Sequence, residues 1–218
     1  MAYEKVKLAV EKIHNDIKNS RFSRDSMSHT DPFLACNLIK YSVHIVDNLD
    51  HLSTKPKQIA GIIDPSIREI QISNDFPKTV QRFTLAHELG HALLHEGMSR
   101  HRDMPLDGAN FKGKRSPAEV EANKFATNFL MPEDILTLRF KQKFLTEKFV
   151  INDDTVFALD PSNKQNLRQR IKTLRDLTSY LSKVGPYSGN HYHSLVIQFE
   201  VSEKAMAIRL EELDLVIF

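Results

Sequence analysis

The chain has 218 residues, 41% of them apolar, and a single cysteine. That apolar share supplies a sizeable core and excludes global disorder, while one cysteine excludes an intrachain disulfide or a Cys-rich zinc module. Thirty basic against twenty-eight acidic residues leave a net charge of +2, too small to mark a nucleic-acid binder by itself. No stretch reaches the length and apolarity of a membrane span, and the opening residues lack a signal-like apolar core. A cytoplasmic protein of a reducing compartment is expected, with Cys36 as a buried apolar side chain.

Val6, Val10, Ile13 and Ile17 recur at helical spacing and predict an amphipathic first helix. Residues 19–30 are polar and read as a loop. Asp31-Pro32 supplies an N-cap and a first-turn proline for a second helix through about Lys40. Val43, Ile45 and Val46 suggest a short strand, and residues 59–64 and 67–73 flank Pro65-Ser66 as a β-hairpin. Pro77 precedes a helix over 78–94, and residues 96–115 read as a loop with several basic residues. Ser116-Pro117 opens a helix to Met131, and Pro132 starts another.

Residues 152–161 read as a loop, and 163–183 as one basic helix with Leu167, Ile171, Leu174, Leu177 and Leu181 as its apolar stripe. Residues 185–193 are turn-like. Two short helices, 194–199 and 203–213, close the chain around Glu200-Val-Ser202. The expected fold is α+β: helices around a small sheet whose hairpin borders the 78–94 helix, with a helical C-terminal extension.

The informative segment is His87-Glu88-Leu89-Gly90-His91. Two histidines four apart on a helix differ by about 40° in direction and about 6 Å in rise, so both rings reach one metal ion. Glu88 between them is placed to act as general base on a water held there. The segment from Phe83 to Leu94 is otherwise almost all apolar or small, so these ionisable groups are buried and need partners. A bound Zn²⁺ answers that need; a hydrogen-bonded core network is the plainer alternative.

A catalytic zinc site needs a third protein ligand. The next helix offers Glu119 and Glu121. Glu119 shares a face with Asn123, so Glu119 is favoured as ligand, with Asn123 holding a ligand histidine by its other nitrogen. Glu121 points about 200° away and suits solvent or a neighbour. His95 lies about 12 Å along the axis from His87, too far for the same ion, and suits the helix C-terminus. His101 reads as exposed.

These residues resemble the ImmA/IrrE family of small zinc metallopeptidases, through Arg82-Phe-Thr-Leu-Ala-His-Glu-Leu-Gly-His-Ala-Leu-Leu-His95, Glu119-x-x-Ala-Asn-x-Phe-Ala126 and Phe129-Leu-Met-Pro132. The resemblance implies zinc bound by His87, His91 and Glu119, with Glu88 as catalytic base. It implies a metallopeptidase domain over 1–138 and a helical extension over 139–218 that ends in a helix-turn-helix-like module. It also implies a protein substrate, a helix-turn-helix transcriptional repressor. Residues 140–193 depart from the family pattern.

A second donor for the oxyanion is expected as well, and His191, Tyr192 and Tyr187 are candidates. Direct DNA binding through 202–214 is disfavoured: Lys204 and Arg209 give +2, while Glu203, Glu211, Glu212 and Asp214 give −4. From Arg139 to Lys183 the chain carries ten basic and five acidic residues, either a solvated face or a contact surface for an acidic partner or nucleic acid. The alternative function is a zinc-containing effector of a toxin–antitoxin-type or regulatory pair, acting by binding without proteolysis.

Overall fold

The computed structural model describes residues 2–21, 27–47, 49, 59–95, 97, 101–103, 116–160, 167, 169–189 and 191–218. They form a mainly helical α+β structure, as the periodicities predict. Internal contacts divide the chain into two compact units, Met1–Leu130 and Met131–Phe218. The division falls just before Pro132, whereas the sequence expectation places it at 138/139.

In the first unit, α1 (Ala2–Lys18) buries Val6, Val10, Ile13 and Ile17, the stripe read from the sequence. The polar stretch after it ends in a 3-10 turn at Ser28–Thr30. The second helix, α2 (Pro32–Leu38), begins as predicted, with the Asp31 side chain accepting the Phe33 N–H at 2.9 Å. Strands β1 (Ser42–Val46), β2 (Gly61–Asp64) and β3 (Glu69–Ser73) follow, then helix α3 (Lys78–Leu94), strand β4 (His101–Asp103) and helix α4 (Pro117–Leu130).

The sheet order is β1-β3-β2-β4. The predicted hairpin is present: β2 and β3 pair antiparallel with Ile63 opposite Ile70, and β1 lies parallel to β3. Ile63, Ile70 and Ile72 share with Gly61 the face that meets the 78–94 helix, while Ile62 on the opposite face packs with Leu49 and Ile59, so all four isoleucines are buried. Strand β4 corrects the reading of 96–115 as loop. Its backbone pairs antiparallel with β2, Gly61 opposite Asp103. The pairing is set by the partner edge and needs no alternating side chains. The expected exposure of His101 falls on a side chain outside the described residues, as does most of that segment.

In the second unit, α5 (Glu133–Phe144) starts at Pro132 as predicted. A two-stranded parallel sheet joins β5 (Phe149–Val150) to β6 (Val216–Ile217). Helix α6 (Asp153–Leu159) corrects the loop reading of 152–161: Asn152 and Thr155 form a capping box, each side chain accepting the other's N–H at 2.9 Å. The single helix expected over 163–183 is also corrected. Residues 171–173 are not helical, and α7 (Leu174–Lys183) begins afresh at a Thr173–Asp176 capping box. The final pair, α8 (Leu195–Phe199) and α9 (Glu203–Glu212), matches the expectation. Glu200 turns between them at φ 52°, and Ser202 Oγ accepts the Ala205 N–H.

Candidate metal centre

Helix α3 carries polar groups through an apolar interior. Thr84, Leu85, Ala86, His87, Glu88, Leu89, Gly90 and His91 are all buried, so the helix is enclosed around its middle turns. Near its start, Arg82 Nη2 donates to the Thr30 carbonyl at 2.8 Å and ties the helix to the turn before α2.

Two glycines let other elements close on it. A Cβ at Gly90 would sit 3.1 Å from Phe125 side-chain atoms and 3.2 Å from the Ala122 Cα, so the backbones of α3 and α4 approach closely there. Glu119 lies three residues before Ala122, on the same face, and the approach carries it onto α3. On the other side, a Cβ at Gly61 would sit 2.6 Å from Thr84 Cγ2 and 2.7 Å from Glu88 Oε1. Strand β2 therefore meets the Glu88 carboxylate with bare backbone, and this is how the hairpin borders the helix.

The electron-pair donors converge. The Nε2 atoms of His87 and His91 lie 3.0 Å apart, and each is 3.3 Å from a Glu119 carboxylate oxygen. The three residues offer donor atoms that all fall within 4.8 Å of one another. Tetrahedral coordination with bonds of about 2.0–2.2 Å separates any two ligand atoms by about 3.3–3.5 Å. The observed spacings are close to that, and the donor set of two imidazoles and a carboxylate fits a divalent ion. Both rings are buried, while the Glu119 side chain is 21% exposed, so the cluster is open on the carboxylate side.

Glu121 does not join the cluster; its Oε2 lies 3.1 Å from His95 Nε2. Asn123 Nδ2 donates to the Glu119 carbonyl at 2.7 Å, a bond within α4, and the atom beside His91 Nδ1 is instead His95 Nδ1, at 3.0 Å. His95 does occupy the C-cap of α3, its N–H bonded to the His91 carbonyl. What sequence reasoning missed is its side-chain contact, although the spacing 87, 91, 95 stacks three rings one turn apart. Cys36 is buried as expected. Its thiol is pushed up to about 12, first by burial and then by the charges of Asp31 and Glu88, so it stays protonated.

His191 and Tyr192 belong to the second unit, where both side chains are exposed and the Tyr192 carbonyl accepts from Lys143 at 3.3 Å. Tyr187 is a core residue there, its ring packed edge-on against Phe144 and Phe149. Several basic residues of 139–183 are engaged within the same unit: Arg175 clasps Glu211 through two bonds of 2.6 and 2.7 Å, and Lys141, Lys148 and Lys183 meet Glu147, Asp214 and Glu203. Arg168 lies outside the described residues.

An enclosed helix bearing two histidines and a glutamate, closed by a carboxylate from the next helix, defines a centre of metallopeptidase type. Residues 46–149 match the Peptidase_M78 family model, described as the IrrE N-terminal-like domain. The matched span includes β2, β3, α3 and α4, and with them every donor of the cluster. No curated protein matches the chain. Among the described residues, no helix is long and apolar enough to cross a membrane.

Proposed function

We propose that the chain is a zinc-dependent endopeptidase that hydrolyses a peptide bond in a specific protein partner, a helix-turn-helix transcriptional repressor, in the cytoplasm. The observation that carries this reading is the convergence of His87, His91 and Glu119 within 4.8 Å, with Glu88 on the same buried helix. His87, His91 and Glu119 hold the metal. Zinc, when bound, supplies a Lewis acid that polarises the scissile carbonyl and makes water more acidic.

Glu88 takes the proton from the attacking water and returns it to the departing nitrogen. Its carboxylate is fully buried and meets the backbone of β2 at Gly61. The repressor as substrate rests on the resemblance to ImmA/IrrE peptidases. The ion pairs that occupy Arg175, Lys141, Lys148 and Lys183 favour a protein partner over a phosphate backbone.

The test is incubation of the full chain with a helix-turn-helix regulator encoded beside it, with and without chelator. Chelator-sensitive cleavage is expected, and Glu88→Gln should keep the zinc while losing about 10²–10⁴-fold in cleavage rate. Complex formation with no cleavage would select the effector that acts by binding. Unchanged cleavage by Glu88→Gln would remove Glu88 as the base.

A further inference from the structure

We propose that His95 and Glu121 form a positioning relay that selects the metal-ready tautomer of His91. The proposal rests on the reading of His87, His91 and Glu119 as metal ligands. Its geometry is a line of three side chains: His91 Nδ1 lies 3.0 Å from His95 Nδ1, and His95 Nε2 lies 3.1 Å from Glu121 Oε2. The line starts at a buried ring and ends at a carboxylate that is 22% exposed, crossing from α3 to α4.

Proton counting gives the relay its direction. A neutral imidazole has one N–H and one lone pair. The Nε2 of His91 faces His87 and Glu119, and to serve as a ligand it must present its lone pair there. The His91 proton then sits on Nδ1 and donates to His95 Nδ1. His95 accordingly carries its proton on Nε2 and donates to Glu121.

The reverse arrangement has His95 donating from Nδ1 to His91. It moves the His91 proton onto Nε2, where a ligand lone pair is needed. It also turns the lone pair of His95 Nε2 against the Glu121 carboxylate, an unfavourable contact between two acceptors. The negative charge on Glu121 thus disfavours the wrong tautomer two residues away from the metal, as outer carboxylates do for ligand histidines in general.

Capping alone does not account for the arrangement. The cap at the end of α3 is the His95 backbone N–H to the His91 carbonyl, and it survives loss of the imidazole. Nor is the line only a tie between helices, because Gly90, Ala122 and Phe125 already close α3 on α4.

Two measurements on the full chain test the relay. Zinc affinity by competition with a chromophoric chelator should fall about 10–100-fold in His95→Ala and Glu121→Ala. His95→Gln, which restores an acceptor beside His91, should recover part of the loss. Nitrogen-15 NMR of the metal-free protein should show His91 held with its proton on Nδ1, and a mixture of tautomers in Glu121→Ala.

His87→Ala serves as the ligand control. If it loses zinc while His95→Ala and Glu121→Ala stay within about twofold of the parent, the relay is overturned and the metal reading stands. An unchanged His91 tautomer in Glu121→Ala overturns the relay equally. Failure of the parent protein to bind zinc overturns the metal reading itself.

Discussion

In Met1–Leu130 the buried rings of His87 and His91, with the carboxylate of Glu119, turn electron pairs toward one shared point. In Met131–Phe218 the buried Lys143 and Arg209 turn N–H groups outward from themselves, toward acceptors supplied by the chain. Lys143 donates to the carbonyls of Gly185, Tyr192 and His193, and Arg209 reaches the Met131 carbonyl at 3.2 Å and Glu212 at 3.3 Å. The second arrangement resembles ordinary architecture, in which buried cations organise a loop and a helix end. Converging electron pairs suit a bound cation instead, and this difference separates the candidate centre from the buried cations of the second unit.

The two units should respond differently to substitution, most of all at the ligands. Glu119→Ala should weaken zinc binding by more than the roughly 10–100-fold expected of outer contacts, while Glu121→Ala stays within that range; chelator competition reads both. Equal losses would erase the distinction between the two carboxylates. A smaller effect is expected where the helices close. Gly90→Ala forces a methyl group against Phe125 and the Ala122 backbone and should cost about 1–3 kcal/mol in urea unfolding, with some loss of zinc affinity as Glu119 is displaced. Unaltered stability and affinity would show that the approach of α4 does not depend on that glycine.

The subtlest test lies in the second unit. Burial lowers the Lys143 amine from its ordinary 10.5 to about 8. Between those values the unfolded chain binds more protons than the folded one, so this group makes stability rise with pH from about 8 to 10.5, and adds no slope below. Cys36, pushed up from 9.0 to about 12, has the opposite slope above 9.0, but it is common to both proteins when Lys143→Met is compared with the parent. The difference in urea unfolding between the two should therefore shift in favour of the parent as pH rises through that window. A pH-independent difference would mean that the amine is not held back by burial.

Elements held by local contacts are legible in the sequence. The α1 stripe, the Asp31 and Ser202 caps, the hairpin and the bounds of α3 all rest on contacts within a few residues, and such contacts leave a pattern in order along the chain. Two helices that differ from the expectation carry local signals of their own: Asn152 with Thr155, and Thr173 with Asp176, are capping boxes, and each starts a helix. The short strands carry none. Strands β4, β5 and β6 are only two or three residues long, and each exists because a distant backbone edge accepts its hydrogen bonds. Nothing in His101–Asp103 by itself says that β2 will lie beside it.

The centre divides in the same way. Residue order alone places His87 and His91 on one face of a helix and Glu88 beside them, because a helical repeat is a property of the chain's own geometry. It also supplies the three further candidates, His95, Glu119 and Glu121. Which of them reaches the ligand point, and which stands behind it, depends on how α4 is rotated against α3. That rotation is set by the close approach at Gly90 and Ala122, a contact between residues more than thirty positions apart, and only the folded chain contains it.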